Sequence, residues 1–376
     1  MTRLRATYEE NVGMARPTDP IRALLASPPD LPVVEVLSEL RERLSPSPSG
    51  SDGVGACLVL TAPPGTGKTT LVPPLLADVL ASARTSAPDA GASNGDGPGR
   101  RPGRVVVTQP RRIAARAAAR RLADLLGEEV GGTVGYAVRG ERRTGPGTRI
   151  EIVTAGLLLR RLQRDPELVG VDAVILDEVH ERSLESDLLL AFLTDARAAL
   201  REDLTLVAMS ATLDADRLRT ILGGTLQGSD GTSNAGRLTP LVKVPGRLHP
   251  IEEVWAPPGR TGRLGPRGVP REFLVHVAAT VEQALAEQGG DVLAFLPGAR
   301  EVDDVVARLR DSAPRNVDVL PLHGRLPASA QDEALAPSPE GRRRVVVATN
   351  VAESSLTVPG VRVVVDSTLA REPRLD

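Results

Sequence analysis

The sequence predicts an α/β protein of two domains, each built around a parallel sheet. Three observations carry that expectation. Short apolar runs bounded by turn residues alternate with helical stretches, the pattern of parallel strands joined by crossover helices. A chain of 376 residues has room for two to three domains and for a sizeable core without disulfide staples. A glycine-rich turn at 62–70 leads directly from one apolar run into a helical segment.

Taken in order, residues 1–29 are polar with scattered prolines and read as a loose extension. Val33, Val36, Leu37, Leu40 and Leu44 recur at helical spacing and predict a helix over 31–44, ended by the Pro/Ser/Gly run at 45–53. Strands are expected at 56–61, 104–108, 150–153, 172–176 and 204–209, with helices such as 110–126 and 184–200 between them. Residues 81–103 and 223–239 are low-complexity insertions that cannot bury a core, and with 257–270 they read as surface loops. The alternation then resumes: strand 291–296, helix 299–310, and strands 317–320, 343–348 and 361–366. The domains expected are 30–240 and 245–376, after the extension at 1–29. No short internal repeat is visible.

Composition narrows the function. Apolar residues at 41% and charged residues at 25% are a globular mix, which excludes a fibrous or wholly disordered chain. No run approaches 18 apolar residues and the N-terminus lacks an apolar signal core, so a soluble, cytoplasmic protein without a membrane partner is expected. The single cysteine, Cys57, rules out an internal disulfide, a zinc ribbon and a redox pair. With 46 basic against 48 acidic residues and a net charge of −2, no bulk field attracts polyanions, so any nucleic-acid site is local. One Trp, two Tyr and three Phe are too few for a module that stacks successive bases on aromatic platforms. Among the 46 basic residues only Lys68 and Lys243 are lysines. In a chain that writes arginine almost everywhere, a retained lysine points to a site needing a flexible ammonium. Lys243, near Pro245, reads as a solvated charge.

Residues 62–70 read APPGTGKTT. A glycine turn from strand to helix lets backbone N–H groups and the helix N-terminus surround a phosphate chain. Lys68 then reaches the β/γ-phosphates and Thr69 offers a hydroxyl to Mg²⁺. Ala62 stands where the phosphate-loop pattern has its first glycine, while Gly65 and Gly67 keep the turn permissive. Residues 173–178 read AVILDE, a buried strand ending in paired carboxylates. Such a strand places Asp177 near a metal's water shell and Glu178 near an attacking water. An acidic strand end alone would also suit plain solvent exposure. The continuation through Val179, His180, Glu181 and Arg182, and a further strand ending Ser210, Ala211, Thr212 and Leu213, favour the site.

In these motifs the chain resembles the DEAH-box class of superfamily 2 helicases, with Val179 in place of the Ala of the eponymous box. TQPRR at 108–112, TAGLLLRRL at 154–162, SATL at 210–213, FLPG at 295–298, LHGRLP at 322–327 and ATNVAESSLTVPGVRVVVDS at 348–367 agree. The FLPG form and the Pro-Pro-Gly turn look most like the bacterial HrpB-type ATP-dependent RNA helicases, over residues 31–376. The resemblance implies two RecA-like parallel-sheet domains, ATP and Mg²⁺ as cofactors, and single-stranded RNA as partner, with DNA as an alternative strand. It implies a nucleotide site of Gly65, Thr66, Gly67, Lys68, Thr69 and Thr70, with Asp177 and Glu178 serving metal and water. His180, Ser210 and Thr212 would couple nucleotide state to strand movement. Arg111, Arg112, Thr154 and Thr349 would face the nucleic-acid backbone, and Asn350, Glu353 and Ser355 would line the cleft between domains. His323 carries no assigned role, and His249 and His276 read as structural. The family's Gln-Arg-x-Gly-Arg-x-Gly-Arg motif would follow the last strand, and the sequence ends at Asp376 without it. The expectation is an incomplete second domain, frayed over 361–376, and a chain that binds ATP but hydrolyses it weakly, with a catalytically poor nucleotide- or RNA-binding remnant as the alternative.

Overall fold

The computed structural model describes residues 19–45, 55–86, 103–211, 215–223, 238–246, 249–259, 262–266, 268–338, 341–350 and 358–371. Insertions 81–103 and 223–239 fall mainly outside these ranges.

The first lobe opens with α1 (Pro20–Ala26), inside the stretch expected to be loose. Asp19 caps it by accepting the Ile21 N–H at 3.0 Å, and Ile21 and Leu24 are buried. The helix expected over 31–44 is two elements, a 3₁₀ turn (Pro32–Val36) and α2 (Leu37–Leu44). Pro32 sits at the first position of the turn after an extended Leu31, and the β-branched valines that follow are poor helix formers.

The lobe continues with β1 (Cys57–Thr61), α3 (Lys68–Ser86), β2 (Val105–Gln109), α4 (Arg112–Leu126), β3 (Val134–Val138), β4 (Glu141–Arg143), β5 (Ile150–Thr154) and α5 (Ala155–Arg164). After these come β6 (Ala173–Leu176), a 3₁₀ turn (Val179–Glu181), α6 (Leu184–Ala199), β7 (Thr205–Ser210), α7 (Ala215–Gly223) and β8 (Leu241–Lys243). The eight strands run in the order β4-β3-β5-β2-β6-β7-β1-β8, parallel throughout except for the β3–β4 hairpin. Because β8 pairs with β1 in register Val59↔Leu241, this sheet extends past residue 240.

The central strands are apolar on both faces, as parallel strands under two helical layers must be. Leu58, Leu60, Val105, Val107, Ile175 and Val207 face one core, against α1 to α4. Val59, Val106, Val174, Leu176 and Leu206 alternate into the other, against α5 to α7. The carboxyl ends of β2, β6, β7 and β1 therefore lie side by side, and polar residues end β2, β7 and β1 there: Gln109, Ser210 and Thr61.

The second lobe comprises α8 (Arg271–Glu287), β9 (Asp291–Phe295), α9 (Ala299–Ser312), β10 (Val317–Leu322), α10 (Ala328–Leu335), β11 (Arg343–Ala348) and β12 (Val361–Asp366). Its parallel sheet has the order β10-β11-β9-β12. Residues 361–366 are not frayed: β12 pairs with β9 along its length, with one register shift between Val361 and Val363. Among the described residues no helix is long and apolar enough to cross a membrane.

One buried ion pair anchors this lobe. Arg344, 2% exposed, donates Nε to Asp291 Oδ2 at 3.0 Å, while its own backbone N–H reaches Asp291 Oδ1 at 2.8 Å. Its remaining guanidinium nitrogens reach Ala336 O and Pro359 O. Asp291→Ala would leave that guanidinium buried without its carboxylate, a loss of about 3–5 kcal/mol. The second-lobe unfolding midpoint, followed by circular dichroism, should fall by about 10 °C or more. Adding Arg344→Met should recover part of the loss.

Candidate active site

β1 ends at Thr61, and the turn through Ala62–Gly67 delivers Lys68 as the first residue of α3. Gly65 (φ 77°) and Gly67 (φ 86°) adopt left-handed backbone that other residues rarely take. Gly67 is also confined by space, since a Cβ there would lie 2.6 Å from Leu31 Cδ1. The carbonyls of the turn are pinned: Thr66 Oγ1 donates to Pro63 O at 2.8 Å, and Val33 N–H donates to Thr66 O at 3.0 Å. Gly67 O accepts the N–H groups of Thr70 and Leu71, each at 3.0 Å. Fixing the carbonyls sets the peptide planes, the condition for successive N–H groups to cradle an anion. Ala62 needs no left-handed backbone; buried at the strand end, it donates its N–H to Ser210 O at 2.9 Å and ties the turn to β7.

The two carboxylates lie directly beneath this turn. Lys68 Nζ is 3.0 Å from Glu178 Oε1 and 3.1 Å from Oε2. Thr69 Oγ1 donates to Asp177 Oδ2 at 2.6 Å, and Glu178 N–H donates to Asp177 Oδ1 at 2.9 Å. Glu178 holds a left-handed backbone (φ 55°), a strain that the following 3₁₀ turn and the Lys68 contact sustain. Burial raises the Asp177 carboxyl above its ordinary range, and the neighbouring Glu178 charge adds to the rise; Lys68 and the Thr69 hydroxyl oppose it.

His180 hangs from the 3₁₀ turn with its Nδ1 accepting Ala211 N–H at 3.2 Å. The same Nδ1 lies 3.4 Å from Glu178 Oε2. That approach is not an ion pair, because burial, followed by the Lys68 charge, pushes the His180 pKa down and keeps the ring neutral. A neutral ring accepting at Nδ1 carries its proton on Nε2. His180 thus joins the β6 end to the β7 end.

Two residues here carried no role in the sequence reading. Gln109, 2% exposed, donates Nε2 to Asp177 Oδ2 at 2.7 Å, and Thr108 Oγ1 accepts Asp177 N–H at 3.3 Å. The signal was present in VVVTQ, where two polar residues end an apolar strand that is buried throughout. A hydroxyl, a carboxylate and a carboxamide oxygen are the hard oxygen donors that Mg²⁺ takes, directly or through water. Gln109 Oε1, buried and without a hydrogen-bond partner among the described residues, adds an acceptor beside them. The residues present fit the expected cation.

The residues expected to face nucleic acid gather at the neighbouring strand ends. Arg111 precedes α4 and Arg112 opens it, while Thr154, at the end of β5, pairs in register with Gln109. Thr349 follows β11 and donates its N–H to Leu322 O at 3.1 Å. Arg111 bridges the lobes by donating to Asn350 O. Arg116 donates to Gln331 of α10, and Arg120 pairs with Asp332. His323 is buried, with Nε2 3.2 Å from Asp303 Oδ1, and His276 Nε2 lies 2.8 Å from Ala256 O. Thr212, Glu353 and Ser355 lie outside the described residues.

A strand, a glycine turn and a helix N-terminus facing an Asp-Glu strand end define a two-lobe, RecA-like P-loop protein. The DEAD/DEAH box helicase family model matches residues 51–221, and the helicase conserved C-terminal domain matches residues 276–376. The chain belongs to the DEAD/DEAH box helicase family. It is 41% identical over 346 residues to the ATP-dependent RNA helicase HrpB of Escherichia coli, covering 92% of this chain and 37% of that protein. It is 36% identical over 267 residues to an ATP-dependent RNA helicase HrpA homolog of Haemophilus influenzae, covering 71% and 19% respectively. A crystal structure of the Escherichia coli DEAH/RHA helicase HrpB matches with a TM-score of 0.70 at 40% identity, over 92% of this chain and 38% of that one. The chain thus spans well under half the length of these relatives.

The His180 geometry generates a direct test. Nitrogen–proton correlation spectra should show the Nε2–H form at neutral pH and a protonation midpoint below the ordinary 6.5. The sign for stability follows from the lowered folded pKa. As pH falls below 6.5 the unfolded chain takes the proton first, so the contribution of the neutral ring is present above that value and lost through the depressed one.

Proposed function

We propose that the chain is the ATP-hydrolysing, two-lobe portion of an ATP-dependent RNA helicase, coupling ATP·Mg²⁺ turnover to movement along a single strand. The observation that carries this reading is the single cluster of Lys68, Thr69, Asp177 and Glu178 under a glycine turn. Lys68 and the turn would hold the phosphates, and Thr69 and Asp177 would hold the cation, which supplies charge neutralisation at the transferred phosphoryl group. The ammonium is shared with Glu178. A phosphate chain in the cradle competes for it and releases Glu178 to accept a proton from water. Having both carboxylates in place favours hydrolysis over a nucleotide-binding remnant.

Arg111, Arg112, Thr154 and Thr349 would track phosphates rather than bases, which suits RNA binding without base preference. Asn350, Glu353 and Ser355 would line the cleft. His180, Ser210 and Thr212 would transmit nucleotide state from the β6 end to the β7 end. A cytoplasmic setting is part of the same proposal. The ATPase rate, measured with and without RNA and DNA homopolymers, tests the reading: stimulation by RNA is expected, and a rate at the buffer background in every case would overturn it.

Lys68→Ala should weaken ATP by roughly 10- to 100-fold while leaving adenosine nearly unchanged, because only the phosphates meet the ammonium. Isothermal titration with both ligands checks this, and equal losses for the two would contradict the assignment. Glu178→Gln should retain ATP and slow hydrolysis by about 10²- to 10⁴-fold in single-turnover kinetics. Replacing Arg111 and Arg112 with Ala should weaken all homopolymers alike. The slope of log affinity against log salt should become shallower by about 0.7 per lost phosphate contact. A base preference that survives both replacements would argue against backbone tracking.

A further inference from the structure

Gln109 ends β2, between β5 and β6, with its side chain enclosed. One end of its amide is accounted for, since Nε2 donates to Asp177 Oδ2 at 2.7 Å. The other end is not, as Oε1 is buried without a hydrogen-bond partner among the described residues. Turning the amide over would not relieve this, because it would set a carbonyl oxygen against the carboxylate in place of a donor. A buried acceptor left over at such a position calls for a donor that belongs to the working site.

The hydrogen bonds of Asp177 indicate which donor. Oδ1 takes Glu178 N–H at 2.9 Å, while Oδ2 takes Thr69 Oγ1 at 2.6 Å as well as Gln109. A hydroxyl can turn a lone pair toward a cation and still donate its proton to the carboxylate, so Thr69 and Gln109 hold Oδ2 together, and only Gln109 brings a second, unused acceptor to the site. Mg²⁺ retains several of its waters, and those waters are donors without any competing acceptor role.

We infer that Gln109 is a positioning residue of the metal centre, its Nε2 fixing Asp177 Oδ2 and its Oε1 accepting a hydrogen bond from the hydration shell of the nucleotide-bound divalent cation. The inference rests on the ATP·Mg²⁺ reading given above and goes one layer further out. Residues that orient metal ligands typically contribute 10- to 100-fold to metal affinity, which sets the expected effect. A residue that merely fills space would instead affect bound and metal-free states alike.

The experiment uses the chain itself with ADP, titrated by fluorescence in Mg²⁺ and in EDTA, and with Mn²⁺, whose affinity for the ADP complex is read by electron paramagnetic resonance. Gln109→Leu should cut the Mg²⁺-linked gain in ADP affinity and the Mn²⁺ affinity by roughly 10- to 100-fold. ADP affinity in EDTA should stay within about twofold, since no contact to nucleotide is removed. Gln109→Met, a straight-chain isostere, serves if the branched side chain prevents folding. In an Asp177→Asn background the Gln109 replacement should add little, because it acts through that carboxylate. If the parent chain shows no Mg²⁺-linked gain, the ATP·Mg²⁺ reading itself fails. If the parent shows the gain and the Gln109 variants keep it, or lose ADP equally in EDTA, the Gln109 inference is overturned while the reading stands.

Discussion

The first lobe is organised around one buried carboxylate. Asp177 joins the helix after β1 through Thr69, the end of β2 through Gln109 and Thr108, and its own neighbour Glu178, whose turn carries His180 across to β7. Burying a charged carboxylate is costly unless hydrogen bonds surround it, and here they do. Burial and the adjacent Glu178 still drive its pKa upward, so the group sits under pressure that positive charge relieves. Lys68 supplies one such charge, through an ammonium already shared with Glu178. The ends of β1, β2, β6 and β7 are therefore tied into one network of charge and hydrogen bonds.

That geometry depends on parallel pairing. The registers Val105↔Ala173 and Ala173↔Thr205 align β2, β6 and β7, and Thr61↔Ser210 completes the row with β1. A slip of one residue in any of these strands would exchange its two buried faces and move its terminal polar residue out of the row. The two hydrophobic cores thus fix the chemistry, because alternate residues of each strand are committed to opposite helical layers.

Much of this was legible in the sequence because the signals are local. The apolar runs 56–61 and 204–209 correspond to β1 and β7, and the glycine turn falls where β1 meets α3. What escaped was set by partners far along the chain. β3 reads VGYAV, with glycine and alanine diluting the apolar run, and becomes a strand by pairing with β5. β8 has only three residues and exists because β1 offers its free edge. α1 is apolar but only seven residues long, within a polar, proline-bearing stretch; it is held by Ile21 and Leu24 in the core and by Arg22, which meets Asp78 on α3 at 3.0 Å. Gln109 belongs with these, since its contact to a residue 68 positions away follows from the β2–β6 register.

Arginine and lysine are used differently in this chain. Arg343 donates to the carbonyls of Leu285, Gln288 and Gly290, each at 2.8 Å, and so closes the end of α8. Arg197, 2% exposed, spends its guanidinium on Leu204 O at 3.0 Å and Gly55 O at 2.5 Å. A rigid fork suits such fixed, directional acceptors. Along α4, Arg116 and Arg120 reach across the seam to Gln331 and Asp332, and Arg116 also meets Glu141 at 3.2 Å. Tyr136 shares that carboxylate; burial and the hydrogen bond to Glu141 raise its pKa to about 12. Lys68 differs from all of these. Its compact ammonium lies within 3.1 Å of both Glu178 oxygens on a flexible stem, with no planar fork to realign, so it can transfer between the carboxylate and a phosphate by rotation alone. In a chain whose basic residues are otherwise almost all arginine, lysine stands at the position where the proposed function requires a cation to change partners.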